Sequence, residues 1–389
     1  MTTAFDPVIN RRHTGSVKWD FMAEKLGLDG DDLLPMWVSD YDFQCPPTVL
    51  QALHQRVEHG VFGYAERDAA YYQAIIDWYR TQHHVEIEKD WITTVHGILP
   101  GLAVLLEVLT ESGDKVVMQT PGYGAFRKIT ELNKRVLLEN PLLEHAGTYT
   151  LDLAQLEMCF QQGAKVLLFC NPHNPTGKAW STDDIFAVAQ LCHQYQVWLF
   201  SDEIWGDLNM PGHQCHSALS LPSAITQRLI VATASSKTFG LSSLRISNLM
   251  IPNAELKQQF IRRLDAHGMD VFNSLSMCAA TAAYQTAADW LAELKQYLQH
   301  NVDLLADYLK QHLPQLHFTA PEAGYLAWID CRALAISDHE LEQKLVHAGL
   351  VASMGIGFGK QGSGFIRLNL GCPQETLKKA LHMLSNALA

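Results

Sequence analysis

An apolar run that ends in a lysine is the first sign of chemistry in this chain. In LIVATASSKTFGLSSLR, residues 229–245, the run stops at Ser235 and Ser236, Lys237 follows, and Arg245 comes eight residues later. In a low-dielectric cleft the ammonium form of a lysine is disfavoured, leaving an amine that can act as nucleophile or base. Taken alone, such a lysine is more often a surface residue with its stem laid along apolar neighbours. The hydroxyls of Ser235 and Ser236 are suited to donate to a phosphate, and Arg245 to clamp one as a fork.

Other residues join it. Asp202 directly follows the apolar run VWLFS; it reads either as a cap for the next segment or as an anion paired with a cationic ring nitrogen. NPHNPTG, 171–177, is a rigid turn, and it fixes Asn174 between His173 and Pro175, where a carboxamide can aim a hydrogen bond. HGILPGLAVLLEVL, 96–109, opens a helix with Pro100 in its first turn, so the free N–H groups around Gly97 and Ile98 form either an ordinary helix start or a phosphate seat. Tyr123 is a core tyrosine or a ring that stacks on a flat ligand. Arg367, inside the apolar GFIRLNLG, needs a carboxylate partner from protein or substrate. GIGFGKQGSG, 355–364, resembles a phosphate loop, but no strong strand precedes it and no helix follows, so it is expected to be a mobile loop beside Arg367.

These residues need elements to hold them. Short apolar runs at 115–119, 165–170, 197–201, 229–234 and 248–252 read as strands buried on both faces. Helical patterns lie between them, as in 181–196, where Ser181, Asp183 and Asp184 favour a helix start. The alternation predicts an α/β fold with a mostly parallel sheet between helices. Tyr123, the NPHNPTG turn, Asp202 and Lys237 all follow strand ends, where ligands sit in open α/β sheets. A long helical stretch at 289–313 leads into shorter strands, giving a smaller α/β domain. The expected division is an N-terminal segment at 1–48 packing with the small domain, a large domain at 49–286, and the small domain at 287–389.

With 389 residues, 48% hydrophobic and 18% charged, the chain has enough apolar material for this arrangement. A net charge of −12 argues against nucleic-acid or anionic-membrane partners. The first twenty residues lack the apolar core of a signal peptide. Eight dispersed cysteines without a CxxC spacing read as buried thiols of a reducing compartment. A cytoplasmic location is the expectation.

The ordered set LLPMWVSDYDF, HGVFGY, NPHNPTGKAW, SDEIW, SSKTF, YLAWID and FIRLNLGCP resembles fold type I pyridoxal-phosphate enzymes, and most closely the MalY/PatB-type C–S β-lyases, almost end to end. The resemblance implies that Lys237 forms the internal aldimine, Asp202 pairs with the ring nitrogen, Asn174 bonds the 3-oxygen and Tyr123 stacks on the ring. It further implies that Gly97, Ile98, Ser235, Ser236 and Arg245 hold the phosphate, that Tyr64 reaches the phosphate of the neighbouring subunit of a homodimer, and that Arg367 takes the substrate carboxylate. The implied reaction is α,β-elimination of cystathionine or cysteine S-conjugates to a thiol, pyruvate and ammonia, with Lys237 removing the Cα proton. Three positions depart from a pure pattern. Trp205 stands where aminotransferases usually carry Tyr, Gly240 where lyase relatives commonly show Asn, and Arg245 where an aminotransferase places its phosphate arginine. An aminotransferase on the same scaffold, or a lyase with an added regulatory binding role, are the alternatives.

Overall fold

The apolar runs form the middle of a seven-stranded sheet in the computed structural model, which describes residues 3–28 and 33–389. Its spatial order is Ile92–Val95, Ser247–Met250, Leu229–Thr233, Trp198–Asp202, Ala164–Cys170, Lys115–Thr120 and Val136–Pro141. Neighbours are parallel except Ser247–Met250, which runs antiparallel to the strands on either side. Alternation along the strands feeds two cores. Val117, Leu167, Phe169, Leu199 and Val231 pack into one, and Val116, Val166, Leu168, Phe200 and Ile230 into the other.

The outer strands, Ile92–Val95 and Val136–Pro141, lie outside the five runs that the sequence marks. Their edge positions explain it. Val136–Pro141 is only partly buried along its length, and Ile92–Val95 spends two of its four residues on threonine. The helix Thr182–Gln194 begins with a capping box, in which the Ser181 hydroxyl accepts the Asp184 N–H and the Asp184 carboxylate accepts the Ser181 N–H.

A second, four-stranded antiparallel sheet runs in the order His317–Phe318, Leu326–Asp330, Phe365–Asn369, Ser353–Met354. Arg367 lies opposite Trp328 on one side and Ser353 on the other. The 25-residue helix Ala288–His312 is tied to it by Asn301, whose amide donates to the carbonyls of Leu370 and Cys372, both at 2.9 Å. The N-terminal strand Leu34–Pro35 pairs in parallel with Leu350–Val351. The following stretch is fixed by charge: Arg11 pairs with Asp40 at 2.6 Å, and the fully enclosed Lys18 pairs with Asp42 at 2.7 Å, which also accepts from the Trp19 indole. Enclosed charges persist only with such partners.

Two expectations need correction. Cys45, Cys215 and Cys278 are partly exposed, although all eight cysteines are free. Surface position explains these three, since a free thiol needs no burial in a protein without bridges. The glycine-rich stretch is a pair of short 3₁₀ turns, Gly355–Phe358 and Lys360–Gly362, rather than a loose loop. A Cβ on Gly355 would lie 2.1 Å from the Gly362 carbonyl, so glycine is there for close backbone approach. The Phe358 carbonyl accepts the Gly122 N–H at 2.8 Å, tying the turns to the loop before Tyr123. Among the described residues no helix is long and apolar enough to cross a membrane.

The turn carrying Asn174 is held from the small sheet's side. Gly177 has φ +70°, and a Cβ there would meet Pro321 at 2.4 Å. Its carbonyl accepts the N–H groups of Glu322 and Ala323, while Lys178 is gripped by both oxygens of Glu322 at 2.8 and 2.9 Å. Gly177→Ala should therefore lower the unfolding free energy by more than about 1 kcal/mol, seen as an earlier midpoint in urea. An unchanged midpoint would show that the turn is not pinned in this way.

Candidate active site

Four strand ends and one helix start surround a cavity of about 250 Å³. Of the residues singled out by sequence, Gly97, Ile98, Tyr123, Asn174, Asp202, Ser236, Lys237 and Arg245 line it. Arg367 stands behind Asn174, donating to its side-chain oxygen at 2.9 Å. Two others lie elsewhere. The Ser235 hydroxyl is enclosed without a partner and outside the lining, because successive residues of a short helix point in different directions. Tyr64 is 97% exposed on the surface of this chain.

Lys237 sits on a four-residue helix, Ser235–Thr238, that begins two residues after the strand Leu229–Thr233. Its Nζ donates to the Ser39 carbonyl at 2.6 Å and approaches the Ser39 hydroxyl at 3.3 Å, and it lies 5.8 Å from the Trp205 ring centre. Burial lowers its pKa to about 8; the charge of Arg367 works in the same direction, and Asp40 and Asp202 work against it. It is no surface lysine.

Asp202 closes the strand Trp198–Asp202 and is 4% exposed. One of its oxygens accepts the Ile204 N–H at 3.1 Å in a turn, so it caps no helix. Burial pushes its carboxyl up to about 7; the Ile204 bond pulls down, Glu203 adds to the rise and Lys237 opposes it. The neighbouring Glu203 faces away, into bonds with Ser201 and the Ala218 N–H.

Arg367 is also buried, and burial lowers its pKa to about 10. Its Nη2 donates to the Trp37 carbonyl at 3.0 Å and to Ser353 at 3.2 Å, its guanidinium packs 4.7 Å from the Phe358 ring centre, and its Nε has no partner. Because Arg367 occupies the oxygen of Asn174, the Asn174 amide N–H groups remain as donors. Tyr123 precedes the helix Gly124–Leu132 with its ring edge-on to Phe126, and burial raises its hydroxyl pKa. His173 takes no such part: it bonds Thr176 at 2.9 Å, and burial lowers it to about 3.

The common feature is unfinished electrostatics. Asp202 and Arg367 are enclosed and Lys237 is partly buried, yet the hydrogen bonds they make go to neutral groups. That donor set suits a ligand bringing a cationic ring nitrogen, an aldehyde and anionic groups, so the residues fit pyridoxal phosphate. Sequence reasoning missed Ser39, the carbonyl of Trp37 and Ser353, which hold Lys237 and Arg367. Two of these act through backbone oxygen, which leaves no trace in residue type; Ser39 nevertheless falls inside the quoted LLPMWVSDYDF. His96, Cys170 and Ser242 also line the cavity.

The sheet and this cavity define the architecture shared by pyridoxal-phosphate enzymes of fold type I. The chain belongs to the family described as aminotransferase class I and II, whose model matches residues 31–384. It is similar to cystathionine beta-lyase PatB of Bacillus subtilis, at 36% identity covering 99% of this chain and 100% of that one. It is likewise similar to Protein MalY of Escherichia coli, at 35% identity covering 99% and 98%. Among solved structures, cystalysin from Treponema denticola, which contains pyridoxal 5'-phosphate, matches with a TM-score of 0.96 and 31% identity over 100% of this chain and 99% of that one. The PLP-bound C-S lyase from Staphylococcus hominis, complexed with L-cycloserine, matches with a TM-score of 0.92 and 30% identity over 100% and 99%.

A lysine whose pKa is lowered loses its proton earlier than its exposed counterparts. Acylation of Lys237 in cofactor-free protein should rise with a midpoint near pH 8, while surface lysines keep gaining rate toward about 10.4. Peptide mapping of the labelled lysines checks this; a Lys237 that tracks the surface residues would refute its desolvation.

Proposed function

We infer that this chain is a pyridoxal-phosphate-dependent C–S β-lyase that takes cystathionine or a related cysteine S-conjugate to a thiol, pyruvate and ammonia. The observation that supports this most directly is one cavity gathering a desolvated amine, a carboxyl group with no cation and, just behind it, a forked cation. When bound, pyridoxal phosphate supplies the electron sink that lets the Cβ–S bond break.

The residues do the rest. Asp202, whose carboxyl burial pushes up to about 7, would be drawn to its anionic form by a cationic ring nitrogen and would keep that nitrogen protonated. The free amide of Asn174 would hold the ring's 3-oxygen, and Tyr123 would supply an aromatic surface for the ring. The phosphate is held by the N–H groups of Gly97 and Ile98 at the start of the helix Ile98–Leu109, by the Ser236 hydroxyl and by Arg245. Arg367 binds the substrate α-carboxylate with the donors left free on its fork. Lys237 takes the proton from the substrate Cα, aided by a pKa near the working pH.

Tyr64 serves the phosphate of a neighbouring subunit in a homodimer. Its exposure alongside Val61 at 64% and Phe62 at 57% supports a second copy covering this segment.

Incubation with L-cystathionine and no keto acid should release pyruvate and thiol in equal amounts. Conversion of the cofactor to its amine form without thiol would instead establish a transaminase. Lys237→Ala should cut kcat by at least about 10²-fold with the fold intact by circular dichroism. Arg367→Lys should raise KM by about tenfold through loss of one charge-assisted hydrogen bond. Activity retained in the first variant would remove Lys237 from its role.

A further inference from the structure

Behind the cavity lies a charged cluster that none of the roles above uses. Five residues past Asp202, on the same turn, Asp207 is 8% exposed and accepts three hydrogen bonds. The Thr238 hydroxyl donates to one oxygen at 2.6 Å; His83 Nε2 and the Trp78 indole meet the other, each at 2.8 Å. Thr238 is fully enclosed and is the residue after Lys237, on the same four-residue helix. So short a helix has one turn of backbone bonds to hold it, and its lysine swings with any tilt.

We propose that Asp207, paired with His83, is a positioning group for Lys237: through Thr238 it locks the helix that carries the amine to the turn that follows Asp202. This rests on the reading that Lys237 and Asp202 serve the cofactor. The two reactive groups come from strands adjacent in the sheet, Asp202 at the last residue of one and Lys237 on the connection beyond the other. The Asp207–Thr238 bond joins that connection to the turn that follows Asp202. The pair itself is stable as charges: burial alone would lower the His83 pKa, yet the bond and charge of Asp207, with Glu203 adding, raise it, while Lys295 opposes. Burial alone would raise Asp207, and His83, Thr238 and Trp78 outweigh that and lower it. An anion is the strongest acceptor for the Thr238 hydroxyl, and His83 keeps it one.

The test is Thr238→Val, which keeps shape and removes the donor, beside Thr238→Ser, which keeps the donor, and His83→Gln. Each holoenzyme is titrated by the visible absorbance of its bound pyridoxal phosphate, and kcat and KM are measured separately. Thr238→Val should displace the chromophore's pH midpoint and lower kcat by about tenfold at unchanged KM, as expected of a small misplacement of a reacting group. His83→Gln should shift both in the same direction, and Thr238→Ser should match the parent. Identical midpoints and kcat in Thr238→Val and the parent would overturn the proposal, even if its melting temperature falls. Should Thr238→Val not fold, a His83→Gln variant with parental midpoint and kcat overturns it equally. A parent protein with no chromophore would instead sink the cofactor reading on which the proposal stands.

Discussion

Desolvation of ionisable groups around one small cavity is the constraint on which the structure depends. Lys237, Asp202 and Arg367 are each taken out of water without an ion-pair partner, and each shifts toward its neutral form. Such groups cost stability unless a ligand completes them. The same three shifts are what make the site useful. They place an amine and a carboxyl close to neutral pH, where a proton can move either way at little cost, and they leave the guanidinium without an anionic partner.

The fold keeps those costs local by building the site on rigid parts. Asn174 shows how closely the parts interlock. Its oxygen is held by Arg367 from the second sheet, its turn is gripped by Glu322 from the same side, and the residue itself lines the cavity. The guanidinium and the cavity wall thus meet in one side chain. Trp205, which also lines the cavity, packs edge-on against Tyr325, whose hydroxyl donates to the same Ser39 carbonyl that receives Lys237.

Much of this was legible in the residues. Runs such as 165–170 and 229–234 announce strands because both faces are apolar, and polar residues at their ends mark the rim. Edge strands escaped because they need not be apolar throughout. Lys237 and Asp202 were visible as charges where burial was expected; the acceptors that hold Lys237 and Arg367 were not, since Ser39 and Trp37 act through backbone oxygens. Ser235 and Ser236 could not be told apart without the helix that turns one hydroxyl inward. Asp207 had the same silence. An aspartate five residues after another carries no mark of the threonine it will meet 31 positions later.

The bond between Lys237 and Ser39 spans 198 residues, and that between Arg367 and Asn174 spans 193. On the ribosome, then, the lysine emerges long before the strand of Arg367 exists, and the long-range closures come last. A nascent chain can complete its central sheet while the pocket still lacks one wall. The Arg367–Asn174 bond forms only once the strand Phe365–Asn369 has emerged, so until then the Asn174 turn lacks that anchor.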